Sequence, residues 1–145
     1  MTFPKCVPDD HDTGAKARSE EDVRHSNALQ YDLPERVFDQ NLFEDMRLCF
    51  GNAEMRLSLM DLSASLQRDF PDITTRILDR DELFLSAHTL GGRAGMMGFV
   101  ALRDACWELQ HALSTGASVS PACVMMQDAA IATRSAIAVL HQRLL

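Results

Sequence analysis

The sequence predicts an all-α protein: an antiparallel up-and-down four-helix bundle with an additional N-terminal helix and a flexible N-terminal tail. Three observations carry this prediction. Beyond Asp39, apolar residues recur at steps of three and four, the period of helices with one buried face. No stretch alternates apolar and polar residues as a half-buried strand does. The connections between periodic stretches are short, and short connections force neighbouring helices to run antiparallel.

Residues 1–31 contain few large apolar side chains and much charge, including Asp9, Asp10, Asp12, Glu20, Glu21 and Asp22. Such a segment cannot bury enough surface to offset its ordering entropy, so it reads as the flexible tail. His11 and His25, which lie in it without partners in the pattern, read as solvated. The helical domain then spans residues 32–145.

Asp32-Leu33-Pro34-Glu35 has the form of a capping box with proline in the first turn, and Asp39 offers a later N-cap for the same helix. Leu42, Met46, Cys49 and Phe50 share one face of it, and Gly51 is a plausible stop. A second helix starts at Asn52, with Met55, Leu59, Leu62, Leu66 and Phe70 on its apolar face, and Pro71 ends or bends it. The segment from Asp72 to Asp79 fits a short helical turn or a loop. Asp79 or Asp81 caps a third helix with the stripe Leu83, Ala87, Leu90, Ala94 and Met97, and Gly98 ends it. A fourth follows at once with Phe99, Leu102, Cys106, Leu109 and Leu113, closing at Gly116. Ser120-Pro121 supplies an N-cap and first-turn proline for a fifth, whose face carries Met126, Ala130, Thr133, Ile137, Leu140 and Leu144.

The 145 residues suit one domain with a modest core, and 46% hydrophobic with 24% charged residues is ordinary globular usage. A formal net charge of −7 argues against non-specific binding to nucleic acid or to an anionic membrane surface. No stretch reaches the roughly 20 apolar residues of a membrane span, and no apolar run follows the basic residue near the N-terminus. Cys6, Cys49, Cys106 and Cys123 are scattered without a Cys-x-x-Cys pair, so neither a zinc cluster nor a redox motif is indicated. Cys49 and Cys106 fall in apolar helical patterns and read as buried thiols, which suits a reducing cytoplasm. Met96, Met97, Met125 and Met126 are read as core filler rather than soft-metal ligands, and no metal is expected.

The third helix carries the most informative stretch. His88 lies away from its apolar stripe, preceded on its own side by Phe84 and Leu85 and followed by Gly91, Gly92 and Gly95. Glycine within a helix costs roughly 1 kcal/mol relative to alanine, so three glycines beside one histidine call for a reason. Access is the simplest: without side chains, another protein's backbone or a bulky anion can approach the imidazole. A neutral ring nitrogen held outward is a nucleophile toward phosphorus. If the third and fourth helices form a hairpin pivoting at Gly98, His88 lies level with residues 108–110. Gln110 then reaches across to hydrogen-bond one ring nitrogen and leave the other free. Trp107, one turn earlier on that edge, reads as cover for the core, and Arg103 as a weak candidate for attracting a phosphoryl group.

The run His88-Thr89-Leu90-Gly91-Gly92-Arg93-Ala94-Gly95, with Ala87 before it and Met97-Gly98 after it, resembles the signature of histidine-containing phosphotransfer (HPt) domains. It is also similar to the phosphoacceptor domain of chemotaxis kinases. The family's lysine three residues after the histidine is Gly91 here, and Arg93 lies about 140° from His88 around the helix, so it does not stand in for that lysine. The resemblance implies that His88 is the phosphoacceptor and that Gln110 orients it. Phe84, Leu85, Gly91, Gly92 and Gly95 would then form the partner-binding surface. It further implies a monomeric, cytoplasmic carrier that is not an enzyme alone. Its partner would be a response-regulator receiver domain or a hybrid histidine kinase, and it would need no cofactor, because Mg²⁺ would sit on the receiver. The alternative is an HPt-like interaction module that binds a receiver or kinase without carrying phosphate. A haem bundle ligated by His88 and His111 is disfavoured, since His111 faces a different edge and no Cys-x-x-Cys-His is present.

Overall fold

In a computed structural model, which describes residues 31–70 and 79–145, five helices follow one another and no described residue is in a strand. They are α1 (Gln40–Phe50), α2 (Asn52–Asp69), α3 (Arg80–Met97), α4 (Val100–Thr115) and α5 (Ser120–Arg143). Residues 1–30 of the expected tail over residues 1–31, with Cys6, His11 and His25, and the segment from Pro71 to Leu78 lie outside the described residues. Tyr31, assigned to the tail by composition, is buried within the helical unit.

The α2 and α5 stripes are buried as the sequence indicates. Met55, Leu59, Leu62, Leu66 and Phe70 fill one side of the core, and Met126, Ala130, Thr133, Ile137, Leu140 and Leu144 fill another. Around the core α2 packs on α3, α3 on α4, α4 on α5 and α5 back on α2, while α1 lies against α2 and α3. By length and composition α5 would pass as a membrane span, contrary to the sequence reading that no stretch approaches one. Core helices pass the same test, and the inner face of α5 is such a core face.

The start of α1 differs from the first expectation. Residues 35–37 form a turn in which Pro34 O accepts from Val37 N and Phe38 N, and the helix begins after Asp39, whose carboxylate accepts from Leu42 N at 3.2 Å. Of the two N-caps offered by the sequence, the later one operates. The predicted α1 face is also displaced. Phe43 is fully buried, whereas Phe50 and Cys49 are exposed and Leu42 and Met46 are only half-buried. The cause lies outside the helix: Phe43 packs with Tyr31 and Phe38, and Phe38 in turn with Phe99 at a ring distance of 5.4 Å. Cys49 is disulfide-bonded, so the reading of buried reduced thiols holds for Cys106 and not for Cys49.

Beside this cluster Glu44 is a buried carboxylate. Tyr31 Oη donates to it, and Arg47 grips it through Nη2 at 2.8 Å and Nε at 3.0 Å. A buried charge is tolerated when paired and fully hydrogen-bonded in this way. Burial first, and then the neighbouring Glu44, push the Tyr31 hydroxyl well above its usual range.

Gly98 closes α3. Its φ of +88° is the left-handed conformation glycine adopts without strain. Gly98 N–H reaches Gly95 O and Phe99 N–H reaches Ala94 O at 2.9 Å, a Schellman ending with Phe99 buried behind it. Gly98 O in turn accepts from Asp39 N at 2.7 Å, which ties the entry to α1 onto the α3–α4 turn.

Candidate functional site

Three contacts fix how α3 lies against α4. His88 meets Gln110, Gly91 meets Cys106, and Gly95 meets Arg103. Residue numbers rise on one helix as they fall on the other, so this pair runs antiparallel. The hairpin about Gly98 thus brings His88 level with Gln110, as the sequence indicates.

His88 is exposed. Its Nδ1 lies 3.1 Å from Gln110 Oε1, and Gln110 Nε2 donates to Cys106 O at 3.2 Å. These two bonds settle the protonation pattern between them. A backbone carbonyl only accepts, so the NH₂ end of the Gln110 amide is turned to Cys106 and its oxygen to the imidazole. That oxygen also only accepts, so Nδ1 carries the proton. In the neutral ring Nε2 is then left unprotonated, with its lone pair directed away from Gln110. Phe84, one turn earlier, lies parallel to the imidazole with ring centroids 6.4 Å apart and interplanar angle 4°. Leu85 is exposed beside it.

The three glycines after His88 do three different things. Gly92 is exposed, and a Cβ there would meet nothing within 4 Å, so it is open ground beside the imidazole. Gly95 is half-buried under the Arg103 side chain, whose Cδ would stand 3.1 Å from a Cβ. Gly91 is buried, contrary to its assignment to the partner-binding surface. A Cβ there would come within 2.9 Å of Cys106 Cβ and 3.8 Å of Gln110 Nε2. It lets two helices approach closely, and that approach brings Gln110 within reach of His88.

Trp107 also departs from expectation. It is 57% exposed rather than covering the core, because Ala105, Cys106 and Leu109 already fill the inner face of α4. The Arg103 guanidinium lies 5.0 Å from the Trp107 ring centre and pairs with Asp104 at 3.1 Å. Arg93 is directed elsewhere, its Nη1 donating to Ser65 Oγ on α2 at 3.0 Å. The part played by the Cys106 carbonyl in orienting Gln110 leaves no mark in the sequence, since every residue has a carbonyl. Burial pushes the Cys106 thiol up to about 12, so it is not a nucleophile at neutral pH. His111 is exposed and lines a shallow hollow with Glu108, Thr115 and Pro121, apart from the His88–Gln110 pair.

A comparison with protein families matches residues 40–143 to the Hpt domain. No curated protein and no solved structure gives a significant match.

Proposed function

We propose, from the premise that this chain belongs to the Hpt domain family, that His88 carries the phosphoryl group in a two-component phosphorelay. Hpt domains take part in histidine phosphotransfer and act as phosphocarriers rather than as enzymes. The observation that carries the assignment to His88 is the hydrogen-bond chain from Cys106 O through Gln110 to Nδ1, which leaves Nε2 as an exposed lone pair.

In this reading Nε2 attacks the phosphorus of an aspartyl phosphate on a receiver domain. The N–P bond forms as the bond to the aspartyl oxygen breaks, and the carboxylate leaves with that electron pair. The ring gains positive charge shared between its two nitrogens, and Nδ1–H donates to Gln110 Oε1, so the glutamine stabilises the phosphorylated state as well as orienting the attack. Transfer to a second receiver reverses these steps. The receiver supplies the Mg²⁺ and the acidic pocket, while Phe84, Leu85, Gly92 and Gly95 form the surface it approaches. The reading includes an up-and-down antiparallel arrangement of α2–α5 and partners that are proteins rather than nucleic acid or membrane; its cytoplasmic setting rests on the family resemblance alone, because the Cys49 disulfide removes the reduced-thiol argument.

The second reading, an interaction module that binds a receiver or kinase without carrying phosphate, is favoured by one observation. The family's lysine position is Gly91, and its seat is closed by Cys106. Incubation with phosphorylated receiver domains separates the two. Loss of phosphate from the receiver with acid-labile label appearing on the wild type and not on His88→Gln is expected. Intact receiver binding with no label on either protein would select the interaction module.

A further inference from the structure

α5 has two apolar faces, and the chain itself uses one. Met126, Thr133, Leu140 and their neighbours face the core. On the outer side Val124 and Ile131 are 60% and 52% exposed, and with exposed Ala138 they recur every seven residues, while Leu145, 79% exposed, follows beyond the end of the helix. Met125 and Val139 extend this face beside half-buried Ala132. Exposed apolar residues scattered singly need no explanation, but these form a row. A seven-residue repeat keeps a stripe turned toward one partner helix over several turns.

The charges select the occupant. The carboxylate and guanidinium groups of α5 are Asp128, on the outer face toward its N-terminal half, and Arg134 and Arg143 in its C-terminal half, where half-buried His141 also lies. Among the described residues none of the three forms an ion pair. We propose that this face binds a second copy of the chain, α5 against antiparallel α5, about a two-fold axis near Ser135. Pairing of this kind is self-complementary. It sets Ile131 against Ala138 of the second copy and Ala132 against Val139, large against small, with Ser135 at the axis where the helices come closest. Asp128 reaches the level of Gln142 and Arg143 of the second copy, and the same contact closes the other end. A parallel pairing would set Asp128 against Asp128 and Arg143 against Arg143. The dimer takes the place of the monomer that the sequence suggests. Because α5 packs on α2 and α4 and, among the described residues, not on α3, the dimer leaves both His88 side chains clear. The inference does not rest on the phosphotransfer reading.

Sedimentation equilibrium of the full chain, from low micromolar to several hundred micromolar, tests it. The mass is expected to rise from monomer to dimer. Ile131→Glu should weaken the dimer about tenfold or more while leaving the circular-dichroism melt of the monomer in place, since Ile131 is exposed. Asp128→Arg and Arg143→Asp should each weaken it, and the double exchange should restore it. A wild type that stays monomeric throughout, a dimer indifferent to Ile131→Glu, or a double exchange no better than either single would overturn the proposal. The first two would assign the face to another occupant, such as a different helix or a lipid surface, and the third would reject the antiparallel pairing.

Discussion

Gly91 on α3 and Cys106 on α4 approach so closely that a Cβ at position 91 would stand 2.9 Å from the Cys106 Cβ. Crowding of this kind costs about 1–3 kcal/mol, partly offset by the roughly 1 kcal/mol that alanine gains over glycine in a helix. Gly91→Ala should therefore lower stability by about 1 kcal/mol, and Gly91→Lys, which restores the family residue, by at least as much. At Gly92 nothing opposes a Cβ, so Gly92→Ala should raise stability by up to about 1 kcal/mol. Urea midpoints of the three variants measure this. Effects of the same sign at both glycines would mean that the approach of the helices does not govern them.

Gln110 is held at both ends of its amide, by Cys106 O and by His88 Nδ1. Gln110→Leu keeps the volume and removes both bonds, so the ring loses its fixed tautomer and the Nδ1 proton its acceptor. Phosphotransfer from a receiver should slow roughly tenfold to a hundredfold, the range found when the hydrogen-bond partner that orients a metal-ligating histidine is removed. Nitrogen NMR of labelled histidine should show Nδ1 protonated in the neutral wild type and a tautomer mixture in the variant. An unchanged spectrum would remove Gln110 from this role.

The histidine and its glutamine were legible because both follow from helical phase and one pivot. His88 lies off the α3 stripe, and a turn at Gly98 makes level positions a matter of addition. The α2 and α5 core faces were legible because each is one unbroken stripe. The α1 face was not, because an 11-residue helix offers few repeats and Phe43 is chosen by Tyr31, Phe38 and Phe99, all outside it. Nor were the separate roles of Gly91, Gly92 and Gly95, since what distinguishes them is the α4 side chain opposite each one. Trp107 was misplaced because size and hydrophobicity do not reveal that smaller residues already fill the inner face.

Cys106 and Tyr31 together predict an alkaline limit to stability. Burial raises the Cys106 thiol from its ordinary 9.0 to about 12. The unfolded chain thus gives up this proton first as pH rises, which favours unfolding. Its contribution is whole below pH 9, falls through the window up to about 12, and amounts to on the order of 4 kcal/mol across it. Tyr31 is raised in the same direction and adds to the loss above its ordinary value of 10. Denaturation followed from pH 8 to 11 should show the decline, and Cys106→Ala should flatten its slope. A slope unaffected by that substitution would place the cause elsewhere.

Thr133 contributes a different kind of cost. Its side chain is fully buried in α5, and among the described residues Oγ1 has no hydrogen-bond partner. An unpaired buried hydroxyl costs about 1–3 kcal/mol, and valine has nearly the same shape without it. Thr133→Val should stabilise the fold by about 1 kcal/mol or more, read as a higher urea midpoint at unchanged m-value. A loss of stability would mean that the hydroxyl is satisfied in solution.

Gly98 and Gly116 both adopt positive φ, +88° and +70°, at the ends of α3 and α4. For a residue with a Cβ that conformation alone costs about 1–2 kcal/mol, so the two would be equivalent if each only ended a helix. They differ in what lies opposite. A Cβ on Gly116 meets nothing within 4 Å, whereas one on Gly98 would stand 2.5 Å from Asp39 O. Asp39 cannot withdraw without breaking its 2.7 Å bond to Gly98 O, and with it the seat of α1 and of Phe43 and Phe38 on Phe99. Gly116→Ala should therefore cost about 1–2 kcal/mol and Gly98→Ala about 3 kcal/mol or more. Hydrogen exchange should locate the excess, with amide protection lost in α1 in Gly98→Ala and retained in Gly116→Ala. Equal costs would show that α1 does not depend on the turn beneath it.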